Sequence, residues 1–570
     1  MTTTPQQADC DVLVIGSGAA GMSAAITAAS RGLKVIVVEK APRYGGTTAR
    51  SGGRLWVPGT HMAKELGYRE RPDQALEYLR DQAGVHFDES RVRAFLTQGP
   101  KAVEFFTSRT AVQFDMPMTF PDYHAEAPGG GQGGRSLATR PYDARELGPL
   151  LKDLEPPLPV AVVFGIAIGT GKDMVHFMRV TRSLESFWYV TKRMTKQLVE
   201  VLRHGRGMLL TNGNALAARL ARSAADLSIP VWLSSPAMHL LRDGERVTGA
   251  VVKRAGQQVQ MRARLGVVLA SGGFPHDAER QKRTYPHIQA GQRHYSPTPP
   301  TNTGDGARMA EAVGGVFDDS LKQPAAWVPV SLVPRKDGTQ GIMPHFIDRS
   351  KPGVIAVDQE GRRFTDEASS YHDVVQAIIA ASRGKNECAC WLLADHPTVR
   401  HYGLGFAKPS PLPLGGQLRS GYLKKGRTVA ALAEKIGVPA ATLEETVRRY
   451  NEQAQHGRDP EFGRGSLSFD RYQGDTLHEP NPCVAPLLQG PFYAVKLVPG
   501  DLGSFMGLRT NGNAQVVTAQ GQPIAGLYAV GNDAASVMGG EYPGAGITLG
   551  PGLTFGYIAA NHIADRAGLQ

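Results

Sequence analysis

Four cysteines in 570 residues, Cys10, Cys388, Cys390 and Cys483, are too few to form a disulfide framework. Cys388-Ala-Cys390 lacks the spacing and companion ligands of a zinc site, so buried thiols and no metal are expected. No run approaches the roughly 18 to 20 apolar residues needed to span a bilayer. The opening MTTTPQQADCD has neither a basic n-region nor an apolar h-region, so no signal peptide is expected. Internal repeats and long low-complexity segments are also missing. Composition agrees with an intracellular, cytoplasmic enzyme, and a chain too long for one core is expected to form at least two domains.

The first positive signal is CDVLVIGSGAAGMSAAITAASRGLKVIVVEK, ending in Glu39. Val12 to Ile15 reads as a short buried strand that runs into Gly16-Ser17-Gly18-Ala19-Ala20-Gly21, and a helix is expected from about Ala20 to Arg31. Glycines at these three positions allow a tight turn, close approach to a pyrophosphate, and close helix–strand packing. The anion would rest on the helix N-terminus. A second strand, Lys34–Val38, ends at Glu39, placed to accept hydrogen bonds from a ribose, with Lys40 beside it.

The next stretch decides between flavin and nicotinamide. Pro42 to Pro58 reads PRYGGTTARSGGRLWVP, where a nicotinamide domain would usually proceed to another helix and strand. Such a loop can line a flavin with backbone N–H and hydroxyl groups, through Gly46, Thr47, Thr48, Ser51, Gly52 and Gly53. Near the C-terminus, GLYAVGNDAASVMGGEYPGAGITLGPGLTFGYIAANH suits the far side of the same cofactor, with Gly531, Asn532, Ile547, Thr548 and Leu549. Gln257–Val268 runs into a small-residue turn, Ala270-Ser271-Gly272, that reaches the same place, and Met238 joins this set. The cofactor expected is FAD.

Pattern divides the chain. Strand and helix signals alternate to about Phe274, giving residues 1–274 as the first part of the FAD-binding domain. From 275 to 490 the texture changes, with Pro-rich stretches and an amphipathic helix candidate at Val429–Glu452. Residues 491–570 return to the first domain. The fold class expected is α/β, a Rossmann-like FAD-binding domain with an inserted α+β capping domain.

Taken together, VPGDLGSFMGL, GLYAVGNDAASVMGGEYPGAGITLGP, EGRRFTDEASSYHDV and PDYHAEAPGGGQGGRS resemble the 3-ketosteroid Δ1-dehydrogenases, in the wider fumarate reductase-like flavoprotein group. The resemblance covers most of the chain except a stretch near Leu150–Gly207. It implies that Tyr542 and the N–H of Gly546, four residues on, hydrogen-bond the C3 carbonyl oxygen of a 3-ketosteroid. Tyr371 would remove a proton from C2, and Tyr123 would hydrogen-bond Tyr371 and share the phenolate charge. The hydride from C1 would go to flavin N5, and a further electron acceptor would reoxidise the flavin.

The chemistry needs such a set. An unactivated CH–CH bond does not release a proton at neutral pH, whereas a neighbouring carbonyl moves the charge onto oxygen as an enolate. Donors aimed at that oxygen lower the barrier, each by about 3–4 kcal/mol. A free tyrosine near pKa 10 is a poor base at pH 7, so a second phenol and nearby cations are expected to lower it. Most of the seventeen tyrosines must serve in packing or at the surface. His124, His345 and His372 are read as structural or surface residues.

Two other activities compete. A fumarate reductase would clamp two carboxylates with arginine and histidine, and Arg362, Arg363 and Glu367 could be taken for such a set. A dehydrogenase acting at C4–C5 of a 3-ketosteroid is the second. Tyr542 in its proline–glycine loop favours the ketone and the Δ1 reaction.

Leu158–Gly207 raises a non-enzymatic reading, a membrane-surface module. A helix is expected from Lys172 to Arg206, with Met174, Phe177, Leu184, Phe187, Trp188, Leu198 and Leu202 on one face. Eight cations (Lys172, Arg179, Arg182, Lys192, Arg193, Lys196, Arg203, Arg206) stand against Asp173, Glu185 and Glu200, within a chain of formal charge +11. Such a helix either lies peripherally in an anionic membrane interface or turns its apolar face to the core. Nucleic acid is not an expected partner.

Overall fold

The β-branched runs of the N-terminal third build the sheet that carries the site. A computed structural model describes residues 6–163, 166–167, 176–177, 179–180 and 183–569. In it β1 (Gln6–Ile15) leads through the glycine turn into α1 (Ala19–Ser30) and back to β2 (Val35–Val38). β1 and α1 begin earlier than the apolar runs alone suggested. Backbone pairing carries β1 back to Gln6, and Gly18 caps α1 in extended conformation.

After β3 (Arg54–Trp56) and β4 (Ser136–Thr139), the helix α2 (Leu184–His204) precedes β5 (Val231–Trp232), β6 (Ala237–Asp243), β7 (Arg246–Arg254) and β8 (Gln257–Leu269). The first sheet runs β5-β2-β1-β8-β7-β6, parallel from β5 to β8 and antiparallel beyond. Further on come β9 (Ala325–Pro334), β10 (Gln340–Pro344), β11 (Val354–Val357), α3 (Tyr371–Ala381), β12 (Cys390–Ala394), β13 (Lys424–Gly426), α4 (Val429–Ile436), α5 (Ala440–Ala454), β14 (Phe492–Ser504), β15 (Gln515–Val517), β16 (Pro523–Ala529) and α6 (Leu549–Arg566). A second, antiparallel sheet runs β10-β9-β14-β12-β11, with β13 also on β14. β16 then pairs with β8 in parallel and completes the first sheet with β15.

Pairing of β14 with β9 and β12 corrects the expected boundary at 490/491, because Phe492–Ser504 belongs to the second sheet. The expected helix Val429–Glu452 is two helices, α4 and α5. Gly437, at φ +73°, ends α4, and Pro439 precedes α5. The expected helix Lys172–Arg206 is likewise shorter among the described residues. Ser183 caps α2, its hydroxyl accepting from Ser186 N at 3.3 Å, and Gly205 ends it at φ +73°. Lys172, Asp173, Met174 and Arg182 lie outside the described residues. Leu184, Phe187, Trp188, Leu198 and Leu202 are exposed on α2, whereas Ser186, Gln197 and Glu200 are buried. These five residues of the expected apolar face are therefore turned away from the core, whereas Phe177 is half-buried and lines the cavity.

α1 packs against α6, where Gly556 leaves room for backbone: a Cβ there would meet Ala20 O at 2.5 Å. Ser23 Oγ donates to Leu553 O at 2.6 Å across the same seam. This contact fixes the glycine turn relative to the loop that carries Tyr542. All four cysteines are buried free thiols.

Candidate active site

A single cavity of about 1900 Å³ runs from the glycine turn after β1 to the expected catalytic tyrosines. Gly16, at φ +114°, turns with its α-carbon so close to β8 that a Cβ would meet Ala270 O at 2.1 Å. Ser17 N donates to Glu39 Oε2 at 2.9 Å, and Ser17 Oγ to the same atom at 2.6 Å. Ala41 N donates to Glu39 Oε1 at 2.8 Å, so the carboxylate expected at a ribose also pins the turn. Thr48 Oγ1 accepts from Ala19 N at 2.9 Å, which docks the loop after β2 on the first turn of α1. Lys40 pairs with Asp305 at 2.8 Å.

Nearly all the expected cofactor residues line this cavity: Gly16 to Ala20, Glu39 and Lys40, Gly46 to Thr48, Ser51 to Gly53, Ala270 to Gly272, Gly531, Asn532, Thr548 and Leu549. Three do not. Gly21 faces inward, where a Cβ would meet Gly16 O at 2.1 Å, and Ile547 is buried in the core. Met238 is half exposed, and its neighbour Ala237 lines the cavity instead, the pleat of β6 turning successive side chains to opposite faces. Asp533 was not anticipated. Its carboxylate accepts from Ser271 Oγ at 2.9 Å and Gly273 N at 3.0 Å and so shapes the turn after β8.

These residues fit FAD on structural grounds. At Gly16 and Gly21 the turn admits only bare backbone, and an α-helix N-terminus opens onto the cavity, where its first N–H groups lack intrahelical acceptors. A second, hydroxyl-rich wall comes from Thr47, Thr48 and Ser51, with Asn302 Nδ2 donating to Thr47 Oγ1 at 2.9 Å.

The three tyrosines meet at the far end. Tyr371 is the first residue of α3, held by Ser370, whose hydroxyl accepts from Asp373 N at 3.2 Å. Trp327 N donates to His372 Nδ1 at 3.1 Å and locks α3 onto β9. The loop of Tyr123 is clamped by Asp122, which accepts from Trp56 Nε1 at 2.7 Å and Gly131 N at 2.9 Å. Tyr123 N donates to Pro543 O at 2.9 Å, tying that loop to Tyr542. All three rings are buried. Tyr123 stacks on Tyr542, with centroids 5.4 Å apart and planes 11° apart, and Tyr371 stands edge-on to both. The hydroxyls of Tyr123 and Tyr371 hydrogen-bond at 3.0 Å. Gly546, at φ +102°, packs so tightly on β3 that a Cβ would meet Arg54 O at 2.4 Å. Its carbonyl accepts from Trp56 N at 3.1 Å, and its N–H has no acceptor among the described residues.

Electrostatics depart from the expectation of a lowered tyrosine. Burial pushes Tyr371 well above its ordinary value, and the two neighbouring phenols add to this. Burial also raises Tyr123, against the opposing fields of Arg54 and Arg349 and its hydrogen bond to Tyr371. Tyr542 is pushed up to about 12 by burial. Of the histidines, buried His372 is depressed to about 4, and His124 is held by Asp373 at 2.8 Å.

The chain matches the model of the FAD binding domain family over residues 11–549. The 4-oxocyclohex-2-ene-1-carboxylate 5-dehydrogenase of Sinomonas cyclohexanicum is 43% identical, over 98% of this chain and 94% of that one. The 3-oxosteroid 1-dehydrogenase of Mycobacterium tuberculosis is 37% identical, over 98% of this chain and 99% of that one. Among solved structures, the 3-ketosteroid Δ1-dehydrogenase from Sterolibacterium denitrificans, in complex with 1,4-androstadiene-3,17-dione, superposes with a TM-score of 0.89 at 35% identity, covering 98% of this chain and 100% of that one. The chain belongs to the FAD-binding 3-ketosteroid Δ1-dehydrogenase family. It is an oxidoreductase with FAD as cofactor, and the expected α/β class holds.

Proposed function

We propose that the protein performs the 1,2-dehydrogenation of a 3-oxo six-membered ring, the A ring of a 3-ketosteroid being the reading carried over from the resemblance. The observation that supports it most is the buried cluster of Tyr123, Tyr371 and Tyr542 beside the N–H of Gly546, which has no acceptor among the described residues. Tyr542 Oη and Gly546 N donate to the carbonyl oxygen and hold the enolate charge as it develops. Tyr371, as phenolate, takes the C2 proton. Tyr123, whose hydroxyl is bonded to Tyr371, spreads the charge toward the fields of Arg54 and Arg349. FAD supplies, when bound, the two-electron acceptor for the hydride leaving C1. A separate electron acceptor then regenerates the oxidised enzyme.

The dicarboxylate clamp finds no support at the residues suggested for it. Arg363 forms buried pairs with Glu367 at 2.8 Å and Asp459 at 2.7 Å, away from the cavity. Turnover of a 3-ketosteroid with an artificial acceptor, followed by mass spectrometry, tests the reading. The product should lack two hydrogens and carry a new C1–C2 double bond; loss of hydrogen at C4–C5 would point to the other regiochemistry.

A second reading concerns location. The exposed apolar residues of α2 stand beside exposed Lys192, Lys196 and Arg203, and Val190 and Met194 of the same helix line the cavity. No helix among the described residues is long and apolar enough to cross a membrane. We propose that α2 rests on an anionic membrane surface with the cavity opening beside it.

A further inference from the structure

Arg54 stands in the cavity wall without a charge partner among the described residues. It opens β3, lines the same cavity as the three tyrosines, and sets its Cζ 4.2 Å from the centre of the Phe120 ring. No described carboxylate lies within ion-pair distance, whereas Arg50 nearby pairs with Glu155 at 2.6 Å. Its Nη1 is buried and has no hydrogen-bond partner among the described residues. The cavity's acids are already engaged: Glu39 by Ser17 and Ala41, Asp305 by Lys40, Asp348 by His345, Asp395 by Thr398 N and Asp475 by Tyr402. Tyr472, Tyr123 and Tyr371 all feel the charge of Arg54, which places it at the tyrosine end of the cavity. A guanidinium left uncompensated among aromatic rings is unfavourable, and an anionic ligand would relieve that cost.

We infer that Arg54 is the anion anchor of the substrate site, and that the ring ketone bound here carries a carboxylate. This rests on the ring-ketone reading above and names its substrate class, a monocyclic oxo acid. A guanidinium meets a carboxylate through two parallel hydrogen bonds, which fixes orientation as well as affinity. Tyr542 and Gly546 would hold the carbonyl oxygen at one pole of a six-membered ring, and Arg54 a carboxylate at the opposite pole. In a 3-ketosteroid the carbon opposite the carbonyl is a quaternary ring-junction carbon whose remaining substituent is a methyl group, with no charge for Arg54 to meet. The carboxylate itself takes no part in the reaction. The proton on the carbon next to the carbonyl still passes to Tyr371, and the hydride still leaves the carbon one further along the ring.

The test uses flavin-loaded protein and cyclohexanecarboxylate, which has the anion but no carbonyl and is not oxidised by this route. Binding is followed by calorimetry and by the flavin difference spectrum, with cyclohexanecarboxamide as neutral control. The acid should bind at least roughly tenfold more tightly than the amide, and Arg54→Gln should weaken the acid by roughly 10- to 100-fold. Arg54→Lys, which keeps the charge but not the fork, should recover part of the loss. In turnover, Arg54→Gln should lower kcat/KM for 4-oxocyclohexanecarboxylate relative to cyclohexanone by a similar factor. Equal binding of acid and amide by the parent protein overturns the anchor, whatever the variants do. Equal loss on charged and neutral ketones with a shifted pH profile also overturns it, assigning Arg54 to the tyrosines alone. If the acid binds through Arg54 but no ring ketone reduces the flavin, the anchor is supported and the ring-ketone reading fails by itself.

Discussion

The hydroxyls of Tyr123 and Tyr371 lie 3.0 Å apart in a buried site where both phenols are driven toward the neutral form. Only the deprotonated form of Tyr371 can accept the C2 proton, and burial holds its pKa well above the ordinary 10.0. The active fraction therefore grows with pH below that value. From about pH 7 to pH 9, kcat/KM should rise by roughly tenfold per unit. Tyr123→Phe removes the partner nearest the arginine fields and should lower the rate across this range. A flat profile in the parent enzyme would remove Tyr371 as the titrating base.

Tyr371→Phe should keep its flavin and lose ketone oxidation by two or more orders of magnitude, on the scale of about 3 kcal/mol. Exchange of the C2 proton with solvent, followed by NMR, should stop with it. Exchange at the parental rate would mean that another base acts there.

Tyr542→Phe deletes one of two donors to the carbonyl oxygen. The expected cost is about 3–4 kcal/mol in the barrier, or roughly two to three orders of magnitude in kcat. The flavin spectrum of the purified variant should be unchanged, since Tyr542 lies beyond the glycine cradle. Near-normal turnover would take Tyr542 out of the mechanism.

Gly18→Val places a branched side chain at a cavity-lining position whose Cβ would meet only Thr48 Oγ1, at 3.6 Å. The backbone there tolerates the residue, so the space it fills is that of the cofactor. The variant should purify colourless. A yellow, active protein would contradict the assignment of this turn as the pyrophosphate cradle.

The membrane reading of α2 predicts co-sedimentation with anionic vesicles at low salt. Each cation near the surface contributes about 1 kcal/mol, so binding should weaken sharply as salt is added. Replacing exposed Phe187 and Trp188 with serine should reduce pelleting while turnover of a soluble ring ketone persists. Protein that stays in the supernatant at low salt rules the docking out.

Legibility in the sequence followed the range of the interactions. The glycine turn, its flanking strands and Glu39 are local, within about thirty residues, and each announces itself by type and spacing. The tyrosines became legible only through motifs that resemble a family, because their meeting joins residues 123 and 542, on two loops, with residue 371 at the start of α3. Arg54 was passed over inside SGGRLWVP. Its significance depends on Phe120 and Tyr472, far along the chain, and on the lack of a nearby acid among the described residues. Met238 differs in a smaller way, its side chain one step in the pleat of β6 from Ala237, which lines the cavity. The broken helix at Gly437 and Pro439 carried a readable signal, a glycine and a proline two residues apart. Amphipathic periodicity on both sides of the break masked it.

Anaerobic reduction of the bound flavin tests the central claim most directly. The oxidised holoprotein should bleach at its visible flavin band when mixed with a saturated or singly unsaturated six-membered ring ketone, and the enone product should appear in equal amount. Succinate should leave the band unchanged, and the Tyr371→Phe holoprotein should bleach at least about a hundredfold more slowly with the ketone. Bleaching by succinate but by no ring ketone would contradict the account.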